Sequence, residues 1–385
     1  MNARTTSTFG HVALIVAHCA GMVDLVALPV WVGTLIQHYR LDPQQAGGLV
    51  TLFLIGAVLS SVFLASRFQR VQGRWVAACG YAIAAICFGV LSQPLEYTTM
   101  AVLHGAGGLA AGAALSATHG TIARSANPHL KFAMVGVGLG VFAVLFLGGS
   151  PKAIAAAGGY MLFAIFGAVM LVAALVCAAG FPEPERESPA AAGAPVARIP
   201  RLVWFGILGI SAMALVQSMT FSFLERVGND RGFSLNAITG VLVVLGFVNL
   251  LPAALAAFFE KRWSARSVLM AGPVIQALLA AVIMNAPGFY AYAAAASVFA
   301  AVMIFTHTFA FGLMARLEPS GRAMAATPAM LMVGAAIGPV LGGTLVKTAG
   351  YGSLGLAAVL IGTLAVLCMS RLPGHAPSSM TQEPV

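Results

Sequence analysis

Long runs of apolar residues, interrupted by short polar turns, dominate the chain and recur twelve times. The runs are continuous rather than striped, as expected for helices that face lipid or one another. A helix of about 20 apolar residues spans a bilayer core. The pattern predicts an all-α integral membrane protein with twelve transmembrane helices. We predict them at residues 12–36, 46–66, 75–92, 98–122, 132–149, 153–180, 202–224, 235–259, 267–285, 289–315, 323–346 and 352–371.

One polar stretch divides these helices into two sets of six. Residues 181–201 are rich in proline, alanine and charge, which is typical of a flexible linker. We therefore predict an N-terminal six-helix bundle over residues 1–180 and a C-terminal six-helix bundle over residues 202–385.

The two halves are weakly similar in sequence. A shift of 192 residues superposes Arg124 on Arg316 and Gly48 on Gly240, at corresponding places in each set of six helices. Internal repeats of this kind are typical of alternating-access transporters, whose substrate site lies between the halves. The repeat therefore predicts transport rather than a fixed pore.

Composition and charge indicate that the chain lies in a membrane and how it is oriented there. Apolar residues make up 60% and charged residues 8%, whereas a soluble protein carries about 25% charged residues. Fifteen lysines and arginines fall on the side that the two termini share and five on the other. Positive charge stays in the cytoplasm, so both termini are predicted to be cytoplasmic. Topology thus explains the net charge of +9 without a nucleic-acid partner, and a bacterial inner membrane or its equivalent is the predicted location.

No catalytic or cofactor motif is present in the sequence. HExxH, GxSxG, a Walker A loop and paired carboxylates are absent, and the five cysteines lack metal-binding or disulfide spacing. We therefore predict neither an enzyme nor a cofactor or metal site. Without a nucleotide-binding domain, such a protein must draw on an ion gradient.

Asp24 is the acidic residue that lies in the middle of a predicted span. A carboxylate at the bilayer centre costs about 2.5–3.5 kcal/mol or more on insertion scales, so it must face a cavity or a partner. A role in proton coupling follows if Asp24 takes a proton from one side and releases it to the other. Contact with a cationic substrate and a structural hydrogen bond to a neighbouring helix are the alternatives.

A glycine-rich run in the eleventh span resembles a motif of the major facilitator superfamily. Gly334, Gly338, Pro339, Gly342 and Gly343 match the GxxxGPxxGG pattern found in the fifth helix of exporters of that family. Glycines at four-residue spacing let helix backbones approach closely, and proline permits bending. The resemblance implies a gating role, whereas helix packing is the simpler interpretation. The fifth span of this chain has no Gly-Pro.

Two further motifs extend the resemblance over essentially the whole chain. The loop after the second span keeps Arg67, Arg70, Gly73 and Arg74 of the family's GxLaDRxGRR gating pattern but lacks its aspartate. The arginines also simply obey the positive-inside rule. His104 begins an RxxxGxxxG-like pattern in place of arginine. The resemblance implies two pseudo-symmetric bundles, a proton-transfer role for His104, and usually a monomer.

Candidate substrate contacts are polar or aromatic residues on spans 1, 7 and 10, which line the cavity in the family, and on span 8. They are Gln217, Ser218, Asn249, His307 and Trp31, which offer hydrogen bonds or an aromatic lining. Packing roles are the alternative for each of them.

The direction of transport stays open at this point. Methionine and phenylalanine content and the eleventh-span motif favour export of lipophilic or amphipathic compounds in exchange for protons. An acid-poor cavity with histidines instead fits proton-coupled uptake of a small organic anion. We expect a proton-coupled secondary transporter and slightly favour export.

Overall fold

The structure is a computed structural model of the whole chain. It describes residues 7–65, 71–125, 127–183, 200–260, 262–318 and 322–373. Most of the predicted linker and the predicted gating residues Arg67 and Arg70 lie outside these residues. The α-helices of the described part are α1 (Thr8–Gly21), α2 (Val23–Tyr39), α3 (Pro43–Ala65), α4 (Gly73–Leu91), α5 (Tyr97–Ala123), α6 (Pro128–Ala157), α7 (Tyr160–Gly180), α8 (Arg201–Phe221), α9 (Leu224–Asp230), α10 (Leu235–Val248), α11 (Pro252–Phe259), α12 (Ala265–Asn285), α13 (Phe289–Leu317), α14 (Arg322–Ala349) and α15 (Gly352–Met369).

These helices build twelve segments that are long and apolar enough to cross a membrane, counted within the described residues. Spans 1, 7 and 8 each consist of two consecutive helices, α1–α2, α8–α9 and α10–α11, and each other span is a single helix. The predicted all-α fold with twelve spans is confirmed.

The turn between the fifth and sixth spans was wrongly placed by the sequence prediction, which put it at residues 150–152. Pro151 lies inside α6, and the helix continues to Ala157. A single proline is tolerated in a membrane helix because neighbouring groups satisfy the carbonyl that it frees. The chain turns instead at Gly158, whose φ of 102° suits a residue without Cβ.

The internal repeat is visible in the backbone. The four positive-φ residues of the described part form two pairs that lie 192 residues apart, Arg40 with Gly232 and Gly158 with Gly350. The helix pairs α3/α10, α4/α12, α5/α13 and α7/α15 also begin 192 residues apart. The weak sequence repeat therefore corresponds to two copies of one helical arrangement.

Small residues hold the second and fourth spans together. A Cβ on Gly108 would overlap the Phe53 carbonyl, and one on Gly112 would overlap the backbone of Ala57. On the other helix, a Cβ on Gly56 would lie 2.6 Å from the Gly105 carbonyl oxygen. Close backbone approach of this kind replaces the hydrophobic driving force that is missing in lipid. The motif that begins at His104 thus joins α5 to α3.

The bundles meet closely at one end of the molecule. We call the end with residues 71–72 and 262–264 the proximal end, and the opposite end, with residues 40–42 and 231–234, the distal end. There α3 of the first bundle crosses α14 of the second. Gly47 lies against the Pro339 carbonyl, and Gly343 lies against the Pro43 carbonyl, so that a Cβ at either glycine would overlap backbone. The two bundles are therefore in backbone contact at the distal end.

A hydroxyl group reinforces this crossing. Thr51 donates through Oγ1 to the Ala336 carbonyl at 2.7 Å and accepts from the Val340 N–H at 3.1 Å. Both partners lie on α14, beside Pro339, which lacks an N–H of its own. One side chain of the first bundle thus satisfies backbone groups of the second.

An ion pair closes the same crossing at the surface. Lys347 donates to Asp42 at 2.9 Å, and the Gln45 N–H donates to the same carboxylate at 2.9 Å. Partial desolvation acts to raise the pKa of Asp42, but these two donors hold it below its ordinary value. The ion pair therefore contributes above the pKa of free aspartate and is lost as pH falls through the lowered pKa. Because both groups are partly exposed, it contributes about 0–1 kcal/mol.

We predict that Gly343→Val separates the distal ends of the bundles. Overpacking costs about 1–3 kcal/mol, and here the cost falls on the closed arrangement because the clash is with the Pro43 carbonyl. Spin labels at Gln93, on a distal loop, and at Tyr290, at the distal start of α13, are exposed on different bundles and report the separation by pulsed EPR.

The matched control is Gly149→Val, where a Cβ meets no atom within 4 Å, and it should leave the distance distribution unchanged. Asp42→Asn should have a smaller effect than Gly343→Val. Equal distributions for Gly343→Val and Gly149→Val would contradict the packing argument.

Candidate proton and substrate site

Span 1 is interrupted near the middle, next to the predicted proton-coupling residue. The first helix, α1, ends at Gly21 and α2 begins at Val23, with Met22 between them at φ −106° and ψ 10°. Further along, Pro29 lacks the N–H that would bond the Leu25 carbonyl. Asp24 lies between these two weak points, in the first turn of α2.

The carboxyl group of Asp24 is buried and incompletely paired. Its side chain is 3% exposed, and Oδ1 has no hydrogen-bond partner among the described residues. The backbone N–H groups of Leu25 and of Asp24 itself face the carboxyl. A helix N-terminus stabilises a negative charge by about 0.3–1 kcal/mol, which is less than the about 2.5–3.5 kcal/mol that burial in a membrane costs. This environment suits a group that exchanges a proton.

Tyr81 of α4 lies against the end of α1, next to the interruption that precedes Asp24. Its hydroxyl donates to the Ala17 carbonyl at 2.5 Å and would be 2.8 Å from a Cβ on Gly21. Tyr81 lies within an apolar run and has no distinguishing pattern in the sequence, so it was not among the predicted site residues. Its position next to the interruption of span 1 makes it part of the candidate site.

Two histidines pair on the proximal side of this interruption. His18 Nδ1 and His119 Nε2 lie 3.1 Å apart, which joins α1 to α5. One of the two nitrogens donates and the other accepts. Protonation of the accepting nitrogen would therefore break this hydrogen bond. The two residues are 101 positions apart in the sequence, so the sequence alone does not reveal that they pair.

His104 and Trp31 lie inside the N-terminal bundle. Their rings stack with centroids 5.7 Å apart, and both side chains have no exposed surface. His104 Nδ1 bonds the Met100 carbonyl at 2.7 Å, and Phe163 meets the His104 ring edge-on at 5.5 Å. The structure places these two predicted site residues in an aromatic core rather than on an open surface.

Gln217 and Ser218 occupy different environments on α8. Gln217 is half-buried, and its Oε1 accepts from Gln276 Nε2 at 3.0 Å. Ser218 is buried and lies against Gly338 of α14. Gln217 thus belongs to a polar pair, whereas Ser218 belongs to a helix contact within the C-terminal bundle.

Asn249 and His307 are half-buried polar residues of the C-terminal bundle. Asn249 ends α10, where span 8 is interrupted, and its Oδ1 has no partner among the described residues. His307 Nδ1 bonds the Met303 carbonyl at 3.0 Å, and its ring lies 5.0 Å from that of Phe311. Each retains polar atoms that could bind a small molecule.

The glycines of the eleventh-span motif divide between two faces of α14. Gly334, Gly338 and Gly342 lie against α8 of the same bundle. Pro339 and Gly343 lie against α3 of the other bundle, at the distal crossing. One face holds the C-terminal bundle together, and the other forms the contact between bundles.

The predicted gating residues Gly73 and Arg74 lie at the proximal end. Gly73 begins α4, and the Arg74 guanidinium donates to the Ala178 carbonyl near the end of α7. Cationic donors at a helix C-terminus stabilise its free carbonyls. In this conformation Arg74 therefore joins two spans of the N-terminal bundle.

Twelve membrane spans in two repeated bundles, counted within the described residues, define a multi-pass membrane protein. The family model of the Major Facilitator Superfamily matches residues 13–320, and the chain belongs to that superfamily. It is therefore a secondary transporter, and family membership points to movement of a small molecule rather than to catalysis. No curated protein matches the chain in sequence.

Solved structures share the fold at low sequence identity. A bacterial homolog of the human lysosomal transporter Spinster, inward-facing and unoccupied, is 16% identical with a TM-score of 0.66, over 95% of this chain and 94% of that one. Its inward-facing, occupied form is 15% identical with a TM-score of 0.68, over 96% and 95%. A mutant of the nucleoside transporter NupG is 15% identical with a TM-score of 0.71, over 94% and 98%.

We predict that His104→Ala destabilises the protein. Truncating a large side chain in a packed core costs about 2–5 kcal/mol, and His104 is wholly buried among aromatic rings. Thermal unfolding of the purified protein measures the loss, with Tyr290→Ala as control because Tyr290 is 88% exposed. Full stability together with lost proton coupling would instead assign His104 to proton transfer.

Proposed function

We propose that this transporter is coupled to protons through Asp24 and exports lipophilic or amphipathic compounds. The observation that carries the proposal is the buried, incompletely paired Asp24 carboxyl at the interruption of span 1. Protons then move down their gradient as substrate leaves the cell.

The orientation follows from the distribution of charge. In the predicted topology, fifteen lysines and arginines fall on the side that the termini share and five on the other, so we assign the proximal end and both termini to the cytoplasm. On this assignment the distal end, where α3 and α14 are in contact, faces outward, and we propose that the conformation is inward-facing. The two Spinster-homolog structures are inward-facing as well. A bacterial inner membrane is the proposed location, and a monomer the proposed unit.

The proton step requires two conformations with different proton affinities. A shift of one pKa unit at one group between two states corresponds to about 1.4 kcal/mol of coupling. The interruption of span 1 places Asp24 on a segment that can change its surroundings as the bundles rock, and Tyr81 lies next to that interruption. The His18–His119 pair lies on the cytoplasmic side of it and would relay the proton. His104, which lies in the same bundle, would also take part in proton transfer.

Gln217, Asn249 and His307 are the proposed substrate contacts because each is polar and half-buried. Trp31 and Ser218 are buried and would support the site from within their bundles. The apolar surroundings of these few polar groups favour a lipophilic or amphipathic substrate. The α3–α14 crossing is the proposed gate at the distal end. Gly73 and Arg74, with Arg67 and Arg70 beside them in sequence, would brace the cytoplasmic end.

We predict that Asp24→Asn abolishes proton-coupled export, because an amide binds no proton in this pH range. Everted vesicles energised by respiration, with a pH-sensitive dye, report proton release when a cationic, neutral or anionic solute is added. Dequenching with a solute in the wild type, and its loss in Asp24→Asn, is the expected result. Glu96→Gln, which alters an exposed loop carboxyl, is the matched control.

Unchanged solute-driven dequenching in Asp24→Asn would remove Asp24 from the mechanism. A wild type that responds to no solute in this assay but accumulates an organic anion with protons in right-side-out vesicles would reverse the direction. Uptake is the alternative because histidines outnumber acids among the candidate contacts.

A further inference from the structure

A second buried carboxyl group lies at the distal end, away from the site described above. Glu225 is in the first turn of α9 and is 7% exposed. Its Oε1 accepts a long hydrogen bond of 3.4 Å from Asn229 Nδ2. Its Oε2 is buried without a hydrogen-bond partner among the described residues. The group is therefore shielded from water with half of its accepting capacity unused.

The neighbouring cations do not neutralise Glu225. Arg226 pairs with Asp230 at 2.9 Å, and Arg231 donates to the carbonyls of Ile283 and Met284 at 2.8 and 2.6 Å. Arg226 is next in sequence and exerts some attraction on the carboxylate. No ion pair is formed by Glu225 within the described residues. An ionised carboxylate here would be buried without a bonded counter-ion, which is costly.

The other titratable groups near α9 are equally engaged. Tyr292 donates to the Leu224 carbonyl at 2.8 Å, and Tyr351 donates to Asp230 at 2.6 Å. On α2, His38 lies against Gly159 and Tyr39 donates to the Leu91 carbonyl. The helices α8, α10 and α12, which pack on α9, carry Arg201 and Arg266 as their titratable side chains, both at the proximal end. None of these groups acts as a counter-ion for the Glu225 carboxylate.

The opposite bundle covers this carboxyl. A Cβ on Gly33 of α2 would lie 3.3 Å from Glu225 Oε2, so the absence of a side chain at Gly33 makes room for it. Glu225 follows Gly33 by 192 residues, the spacing of the repeat. The two equivalent positions therefore meet across the axis that relates the bundles. Separation of the bundles at the distal end would uncover the carboxyl to water.

We propose that Glu225 is a second proton-binding site, which latches the distal end. The protonated carboxyl is neutral and tolerates burial under Gly33, so the distal end closes. The ionised carboxylate requires water, so it favours the state in which the distal end is open. The inference rests on the rocking movement of the proposed function but not on Asp24. It makes the transporter responsive to the pH of the medium at its distal end.

Pulsed EPR on the purified full-length protein in lipid nanodiscs tests the latch. Labels at Gln93→Cys and Tyr290→Cys, with the five native cysteines changed to alanine, report the distal separation over a series of pH values. We expect one short distance in acid and an added longer component in alkaline solution. Glu225→Gln should keep the short distance at every pH. Glu96→Gln, an exposed carboxyl on the distal side, should respond as the wild type does.

The Asp24→Asn variant separates this inference from the proposed function. A pH response that persists in Asp24→Asn and is lost in Glu225→Gln supports the latch whatever the role of Asp24. A response that persists in Glu225→Gln, or a wild type without one, overturns it.

Infrared difference spectra between acid and alkaline solution give a second measure. In the Asp24→Asn background, a protonated carboxyl band should be present and should lose intensity on adding Glu225→Gln. If this band is unchanged, Glu225 is not the proton-binding group.

Discussion

The cost of an unpaired carboxyl group away from water is the constraint on which this structure depends. Charge is excluded from most of the membrane-spanning part, and Asp24 and Glu225 are exceptions that are buried with an unpartnered oxygen. Each lies in the first turn of the second helix of an interrupted span. A helix N-terminus offsets part of the free-energy cost of the buried negative charge, and a bound proton removes the rest of that cost. This cost is the physical basis for our proposal that both groups exchange a proton.

Close backbone packing serves both within and between the bundles. Within bundles, glycines such as Gly108 and Gly338 bring neighbouring spans together. Between bundles, Gly47 and Gly343 bring α3 and α14 into backbone contact at the distal end, and the Thr51 hydroxyl bonds backbone groups of α14. The helices α6 and α10 also pack on each other across the bundles.

The sequence predicted the number of spans, the repeat and Asp24, because hydropathy and a lone charge are readable one residue at a time. It did not predict the interruption at Met22 or the position of the turn at Gly158, since these depend on local geometry rather than on composition. It also missed the His18–His119 pair and Tyr81, because helix rotation decides which distant residues meet. The cover of Glu225 by Gly33 depends on how the two bundles pack, so it could be seen only in the structure.

Proton binding by the two carboxyls is the central claim, and potentiometric titration of the full-length protein in nanodiscs measures it directly. Wild type is compared with Asp24→Asn, Glu225→Gln and the double variant over the same acid-to-alkaline range. The account predicts about one proton fewer for each single variant and about two fewer for the double variant, since each lost carboxyl removes one titrating site. Identical proton uptake by the wild type and the double variant would contradict it.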